Sequence, residues 1–328
     1  MKRTFTFNSK PQILSTFSVA GPKESEGSIG EYIDLRLEND MFGEDTFEKA
    51  ESKMLYTAID NAIKGSNYEE VDTLISGDLL NQIISSSFAA RSFNSGYLGI
   101  YSACATFTEA LTVSAMLIDG NYLDVVACGA SSHFSSAERQ YRYPLELGCT
   151  RPPLSQWTVT GAGACVVGRE NSGVAITQAT IGKIVDFGVT DVNNMGAAMA
   201  PAACDTILTH LKNTNTTQND YDLIITGDLG AFGSRIMKDL AWEKGFDIEK
   251  QHVDCGELIY HINEKEYQGG SGAGCSAVTF TSYFYNKLKA GKLKKILLVA
   301  TGALLSSVSS GQGESIPGIA HAVTIERV

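Results

Sequence analysis

An internal repeat is the feature of this sequence that most restricts its fold. Residues 71–79, Val-Asp-Thr-Leu-Ile-Ser-Gly-Asp-Leu, match residues 221–229, Tyr-Asp-Leu-Ile-Ile-Thr-Gly-Asp-Leu, 150 positions later. Cys104 and Cys275 each open a predicted helix 171 positions apart, and the glycines that end those helices repeat at the same offset. Motifs that recur in the same order along a chain indicate the duplication of one structural unit.

Each repeat contains a strand, a helix and a second strand. Residues 46–64 have apolar side chains at helical spacing and predict an amphipathic helix. Residues 99–104 read as a strand that continues directly into a helix over 106–117. Chains that alternate strands and helices in this way fold as layered α/β proteins. We therefore predict an N-terminal half, 1–170, and a C-terminal half, 171–328, with ligand sites where strand ends of the two halves meet.

Charge and cysteine content exclude several classes of function. The chain has 26 Lys and Arg against 37 Asp and Glu, a net charge of −11, so we expect no nucleic-acid partner and no direct binding to anionic lipid. Neither a signal peptide nor a stretch long enough to span a bilayer is evident, which favours a cytoplasmic protein. The seven cysteines lack CxxC spacing, so we expect reduced thiols and no structural zinc.

Three segments carry a resemblance to a known superfamily. Residues 101–107, Tyr-Ser-Ala-Cys-Ala-Thr-Phe, are similar to a segment that places a nucleophilic cysteine at the tip of a buried helix. Residues 161–168 and 269–276 are similar to the glycine-rich segments that close one half and start a helix in the other. Together they resemble the thiolase superfamily, and within it the β-ketoacyl synthase III branch. The resemblance implies a five-layered αβαβα fold made of two duplicated halves.

A narrower resemblance rests on five segments spread along the chain, at 47–51, 223–230, 254–256, 293–305 and 319–323. They resemble a thiolase-like family of sporulation proteins that belongs to the spore dipicolinic acid channel system. The resemblance implies binding of pyridine-2,6-dicarboxylate (dipicolinic acid), free or calcium-chelated, for uptake into the developing spore. It also implies no further cofactor, membrane proteins of the dipicolinate channel as partners, a homodimer by analogy, and peripheral association with the spore inner membrane in the forespore.

The residues around Cys104 decide between catalysis and binding. A cysteine at a helix N-terminus is favoured as the thiolate, which suits a nucleophile. A condensing enzyme also needs His and Asn donors for its oxyanion. Where the related branch carries them, this chain reads Thr-Gly-Asp at 226–228 and Gly-Ser at 270–271, and none of its five histidines occupies a matching place. A non-catalytic receptor is therefore predicted, with a condensing enzyme with relocated donors and an assembly scaffold as alternatives.

Seven residues are candidates for binding a small dicarboxylate. Guanidinium groups pair bidentately with carboxylates, His133 follows a strand end where it can donate, and Asp254 offers oxygen to calcium. The candidates are Cys104, His133, Arg139, Arg142, Arg151, Asp254 and Cys255. Each also has a structural alternative: a small buried thiol, a loop histidine, solvated arginines, and a turn at 254–256.

Overall fold

The computed structural model describes residues 2–142, 145–148, 150–261 and 267–328. Its strands are β1 Thr4–Thr6, β2 Gln12–Ala20, β3 Leu35–Arg36, β4 Thr73–Gly77, β5 Gly96–Gly99, β6 Val125–Ser132, β7 Trp157–Thr158, β8 Gly161–Gly168, β9 Val174–Thr180, β10 Leu223–Thr226, β11 His252–Asp254, β12 Gly270–Ser271, β13 Lys295–Ala303 and β14 Gly318–Arg327. Its helices are α1 Pro22–Ser25, α2 Phe47–Lys64, α3 Ile84–Ala90, α4 Thr106–Asp119, α5 Phe134–Tyr141, α6 Met195–Thr214, α7 Gly230–Glu243, α8 Cys255–Ile259, α9 Ala273–Thr279, α10 Tyr285–Lys289 and α11 Ser307–Gly311. A π-helical turn at Phe280–Phe284 joins α9 to α10 in one continuous helix.

The large sheet has a strand order that mirrors the repeat in the sequence. Its order is β11-β10-β13-β14-β9-β2-β8-β6-β4-β5. Counted inward from the two edges, β10 takes the place of β4, β13 that of β6 and β14 that of β8. Strands β2 and β9 join the two halves of the sheet through one residue pair, Gln12 and Ala175, and β1 of the first half adds three antiparallel pairs with β9. This pseudo-twofold order is the arrangement that the internal duplication predicts, whereas the boundary at residue 170 stays a prediction.

Helices lie outside and between the two half-sheets. Helix α2 packs on β2, β6 and β8, while α6 packs on β13 and β14 from the opposite outer face. Helix α4 contacts β4 and β6 of one half and β13 and β14 of the other, and α9 packs beside it. Phe107 and Phe280, both fully buried, meet in this central layer with ring centroids 5.8 Å apart. The result is the predicted α/β arrangement of five layers, with the deepest core between the half-sheets.

The predicted helix at 46–64 is confirmed and its start has a clear cause. Helix α2 begins at Phe47, and the Thr46 hydroxyl accepts a hydrogen bond from the backbone N–H of Lys49 at 3.3 Å. Such an N-cap satisfies one of the amides that a helix leaves unpaired at its beginning. In the part of the chain that the structure describes, no helix combines the length and apolar character needed to cross a membrane.

The prediction of a strand at 99–104 is wrong, and the difference places Cys104. Strand β5 ends at Gly99, and the chain then turns between the half-sheets, with Ala103 at φ +50°. The Ser102 carbonyl oxygen lies so close to Gly302 of β13 that a Cβ there would be only 2.3 Å away. Glycine therefore permits the turn to press against β13. An extended strand at 99–104 could not make this approach and still enter α4 in the central layer.

Candidate functional site

A small cavity lies beside Cys104, where elements of the two halves meet. Its volume is about 40 Å³, enough for one or two water molecules. Its walls come from the ends of strands and from the helices that follow them. The lining residues are Leu79, Tyr101, Ala103, Cys104, Ala137, Tyr141, Arg142, Thr158, Met195, Ser271, Ala303 and Leu305.

A buried carboxylate faces the Cys104 thiol. Asp228 follows β10 and is only 1% exposed. Its carboxylate accepts hydrogen bonds from the Thr301 hydroxyl at 2.7 Å, the Ser271 hydroxyl at 3.1 Å and the Gly272 N–H at 3.0 Å. The charge of this carboxylate also acts on the nearby Cys104 thiol. Three donors converge on Asp228, and they offset part of the cost of burying it.

The Asp228 carboxylate changes the chemistry expected of Cys104. Burial raises the pKa of the Cys104 thiol well above its usual value, and the charge of Asp228 raises that pKa further. The sequence-based expectation that the start of α4 favours the thiolate is therefore wrong. Desolvation and a neighbouring anion outweigh the helix dipole, whose contribution is typically about 0.3–1 kcal/mol. At neutral pH this cysteine is a thiol.

Arg142 provides positive charge at the wall of the cavity. Its side chain is 4% exposed and forms an ion pair with Glu138, one turn earlier. Its Nε atom is buried and has no hydrogen-bond partner among the residues that the structure describes. Arg151 pairs with the other oxygen of Glu138 at 3.1 Å. Two guanidinium groups thus share one carboxylate.

Comparison with known proteins shows the family. The family model described as stage V sporulation protein AD matches residues 1–326. The stage V sporulation protein AD of Bacillus subtilis is 42% identical over 328 residues, covering 99% of this chain and 97% of that protein. The chain belongs to the stage V sporulation protein AD family.

Solved structures similar to this member of the stage V sporulation protein AD family include a 3-oxoacyl-[acyl-carrier-protein] synthase III and OleA. The 3-oxoacyl-[acyl-carrier-protein] synthase III of Aquifex aeolicus is 17% identical, with a TM-score of 0.57 and coverage of 96% of this chain and 99% of that one. A variant of Xanthomonas campestris OleA is 13% identical, with a TM-score of 0.63 and coverage of 98% and 99%. At these identities the similarity shows the fold alone, and it confirms the predicted thiolase-like fold.

Two other predicted arginines do not line the cavity. Arg139 lies on the surface of α5, where its half-exposed side chain pairs with Glu48 of α2. Arg151 reaches the cavity only through Glu138, and its guanidinium packs against the rings of Phe134 and Trp157 at 5.5 and 5.2 Å from their centroids.

His133 serves as the N-cap of helix α5. Its Nδ1 atom accepts from the Ser135 N–H at 3.1 Å, so its Nε2–H donates to the Asp40 carbonyl at 3.0 Å. Burial lowers the pKa of His133, which agrees with this neutral tautomer. Both ring nitrogens are thus engaged within the protein, away from the cavity.

Asp254 organises the start of two helices instead of lining the cavity. Its carboxylate accepts from the Thr226 hydroxyl at 2.7 Å and from the backbone N–H groups of Leu229, Gly230 and Glu257 at 2.9, 3.1 and 3.1 Å. Burial raises the pKa of Asp254 to about 7, and the neighbouring Glu257 adds to that rise. The next residue, Cys255, is fully buried in the core. Among the described residues, no group of three or more His, Cys, Asp or Glu could hold a metal ion.

Of the seven predicted residues, the structure brings Cys104 and Arg142 to the same cavity. Asp228 and Ser271 were noticed in the sequence only as replacements for His and Asn, yet they stand directly beside the thiol. The internal repeat contained a signal for Asp228, because it occupies the same place after its strand as Asp78 does in the first half. Tyr101 and Tyr141 also line the cavity and carried no such signal.

Proposed function

We propose that this protein is a non-catalytic receptor of sporulation that binds dipicolinic acid, free or calcium-chelated, in the cavity beside Cys104. Membership of the stage V sporulation protein AD family supports the role in sporulation. The ligand assignment extends the resemblance found in the sequence to the cavity that the fold creates.

The observation that carries this proposal is the buried Nε atom of Arg142, which has no hydrogen-bond partner among the described residues. A buried polar atom without a partner costs about 1–3 kcal/mol, so a carboxylate that reached it would recover that free energy. Arg142 brings a positive charge to the cavity wall of a protein whose total charge is −11. A small anion that enters the cavity therefore meets this guanidinium group.

The contacts of Cys104 favour binding over condensation. Carbon–carbon bond formation of this type needs a thiolate and donors aimed at the developing oxyanion. Here burial and the negative charge of Asp228 raise the pKa of the Cys104 thiol, and the same charge opposes any oxyanion beside it. The Ser271 hydroxyl donates to Asp228, so this donor is already occupied.

Calcium enters the proposal through the ligand. Free dipicolinate is a dianion, which Arg142 attracts and Asp228 repels, whereas its calcium chelate is neutral and brings an oxygen-seeking cation toward Asp228. The cavity, at about 40 Å³, must widen for either form, since the volumes of small-molecule sites run to roughly 300–1,000 Å³.

Calorimetric titration of the purified protein tests the proposal. Dipicolinate with and without calcium should bind with a dissociation constant near the micromolar range, about −8 kcal/mol, and benzoate and phthalate should bind far more weakly. Arg142→Met removes the cation from the cavity wall and should weaken binding by tenfold or more. The variant should still fold, because Arg151 still pairs with Glu138. The matched variant Arg139→Met changes a surface arginine and should leave the affinity unchanged. No heat with either form of dipicolinate, or equal heat with the control acids, would refute the receptor.

The alternative function is acyl transfer by a condensing enzyme of the β-ketoacyl synthase III type. It is favoured by one observation, the position of Cys104 in the cavity just before α4 of a thiolase-like fold. Incubation with radiolabelled acyl-CoA separates the two functions. We expect no more label on the protein than on its Cys104→Ala variant, and turnover above that background would establish the enzyme.

The proposed partners are a second copy of the chain and membrane proteins of the spore dipicolinate channel. Support comes from the end of the sheet, where Leu98 of the edge strand β5 is 46% exposed and Phe88 of the neighbouring helix α3 is 45% exposed. An edge strand with exposed apolar side chains is a typical site of protein association. The location that we propose is the forespore cytoplasm, with attachment to the inner membrane through those partners.

A further inference from the structure

Two spaces in the structure share one wall. The cavity beside Cys104 has a volume of about 40 Å³, and a wider surface groove of about 520 Å³ lies next to it. Tyr101, Tyr141 and Leu305 line both spaces. These three side chains therefore lie where the cavity and the groove adjoin.

Hydrogen bonds hold the two tyrosines in place across that wall. The Tyr141 hydroxyl donates to the Leu79 carbonyl oxygen, and the Tyr101 hydroxyl lies 3.4 Å from the Tyr141 oxygen. Because Tyr141 uses its one proton on Leu79, Tyr101 is the donor in the second contact. Burial raises the pKa of both phenols, so both remain neutral donors across the physiological range.

The position of each tyrosine in the fold links the wall to the binding residues. Tyr101 lies in the turn that leads to Cys104 and is 44% exposed. Tyr141 is the last residue of α5, and Arg142 follows it directly. The hydrogen bond from Tyr141 to Leu79 is made by a side chain, so it can break without the loss of a backbone hydrogen bond of the sheet.

We propose that Tyr101 and Tyr141 form a gate through which a small ligand passes from the groove to Cys104. The gate is closed when Tyr141 donates to Leu79 and opens when that hydrogen bond breaks. The nature of the ligand rests on the proposed function, whereas the gate itself is tested without any ligand.

The test is the rate at which iodoacetamide alkylates Cys104, followed by mass spectrometry of the peptide that carries it. Tyr141→Phe keeps the ring and removes both hydroxyl contacts. Loss of a net hydrogen bond should raise the alkylation rate of Cys104 roughly three- to tenfold, because the rate follows the population of the open form. Tyr122→Phe is the matched control, since Tyr122 is 78% exposed and lies at the far end of α4. It should leave the rate unchanged.

Cys165, fully buried between strands, monitors general loosening in the same sample. A faster alkylation of Cys104 with no change in the alkylation rate of Cys165 supports the gate. An unchanged rate at Cys104 in Tyr141→Phe, or an equal increase at Cys104 and Cys165, would overturn it. The failure of the proposed function is distinguishable from the failure of the gate. If the proposed function is wrong, dipicolinate gives no heat in calorimetry, whatever the alkylation rates are.

Discussion

At the scale of single residues, the pairing of Cys104 with Asp228 determines what this site can do. A cysteine just before a buried helix is typical of a nucleophile, yet burial and the charge of the Asp228 carboxylate both raise the pKa of Cys104. The same carboxylate accepts from Thr301, Ser271 and Gly272. Asp228 therefore fixes the geometry of the cavity wall while it holds Cys104 in its protonated form.

Replacing Asp228 with Asn tests this reading of the pair. The substitution removes the negative charge, so the pKa of Cys104 should fall toward its usual value, although burial still keeps it raised. The pH profile of Cys104 alkylation should then shift to lower pH. An Asn nitrogen that faces former donors should also cost about 1–3 kcal/mol of stability, measured by urea unfolding.

The control for this variant is Asp222→Asn. Asp222 lies just before β10, and its carboxylate accepts hydrogen bonds from the exposed backbone N–H groups of Lys294 and Lys295. It should not move the alkylation profile. If Asp228→Asn left the profile of Cys104 in place, the charge of Asp228 would have no role in suppressing the thiolate.

At the scale of secondary-structure elements, close approaches between the backbone of the 100–105 turn and the sheet set the position of Cys104. The Ile100 carbonyl presses on Gly77 of β4, and the Ser102 carbonyl presses on Gly302 of β13. A Cβ on either glycine would lie 2.1 or 2.3 Å from the carbonyl oxygen that it faces. One short turn is thus held between strands of both halves.

Gly302→Ala should push this turn away from β13. We expect a loss of roughly 1–3 kcal/mol in the free energy of unfolding, because a methyl group must enter a filled space. Faster alkylation of Cys104 should accompany it. Gly311→Ala adds the same methyl group at the end of α11, where nothing lies within 4 Å, and should change neither quantity. Equal stability of the two variants would show that the turn does not depend on the glycine.

Elements also show where sequence reasoning succeeds and where it stops. The helix at 46–64 and the repeated strands were predictable because their signals are local and periodic. The end of α5 was not predictable from the sequence. Arg139 and Arg142 are one turn apart, but Arg142 leaves helical geometry, with φ −123° and ψ −75°, and its side chain lines the cavity. The role of Asp228 was not predicted, because only the tertiary fold brings it close to Thr301, 73 residues away, and to Cys104.

At the scale of the whole molecule, the central layer couples the two halves. Helix α4 belongs to the first half but packs on β13 and β14 of the second, and α9 packs on β6 and β8 of the first. Each half therefore completes the core of the other. A protein built in this way should unfold as one cooperative unit, because neither half buries its inner face alone.

Hydrogen exchange measured by mass spectrometry tests this coupling. Peptides from α4 and α9, and from the outer helices α2 and α6, should report the same opening free energy to within about 1 kcal/mol. The exposed helix α11 should exchange much faster through local opening. Separate values for α2 and α6 would show instead that the halves unfold independently.

Because both halves contribute to the cavity wall, a substitution that disturbs the packing of the halves should be detectable as a change in ligand affinity. Cys104 and Arg142 come from one copy of the duplicated unit, and Ser271 and Leu305 come from the other. Any molecule that binds there stabilises the assembled pair and has no site on either copy alone. A substitution at the distant joint between β2 and β9 would then lower affinity without touching the ligand. The affinity for that ligand therefore also reports the stability of the packing between the two duplicated halves.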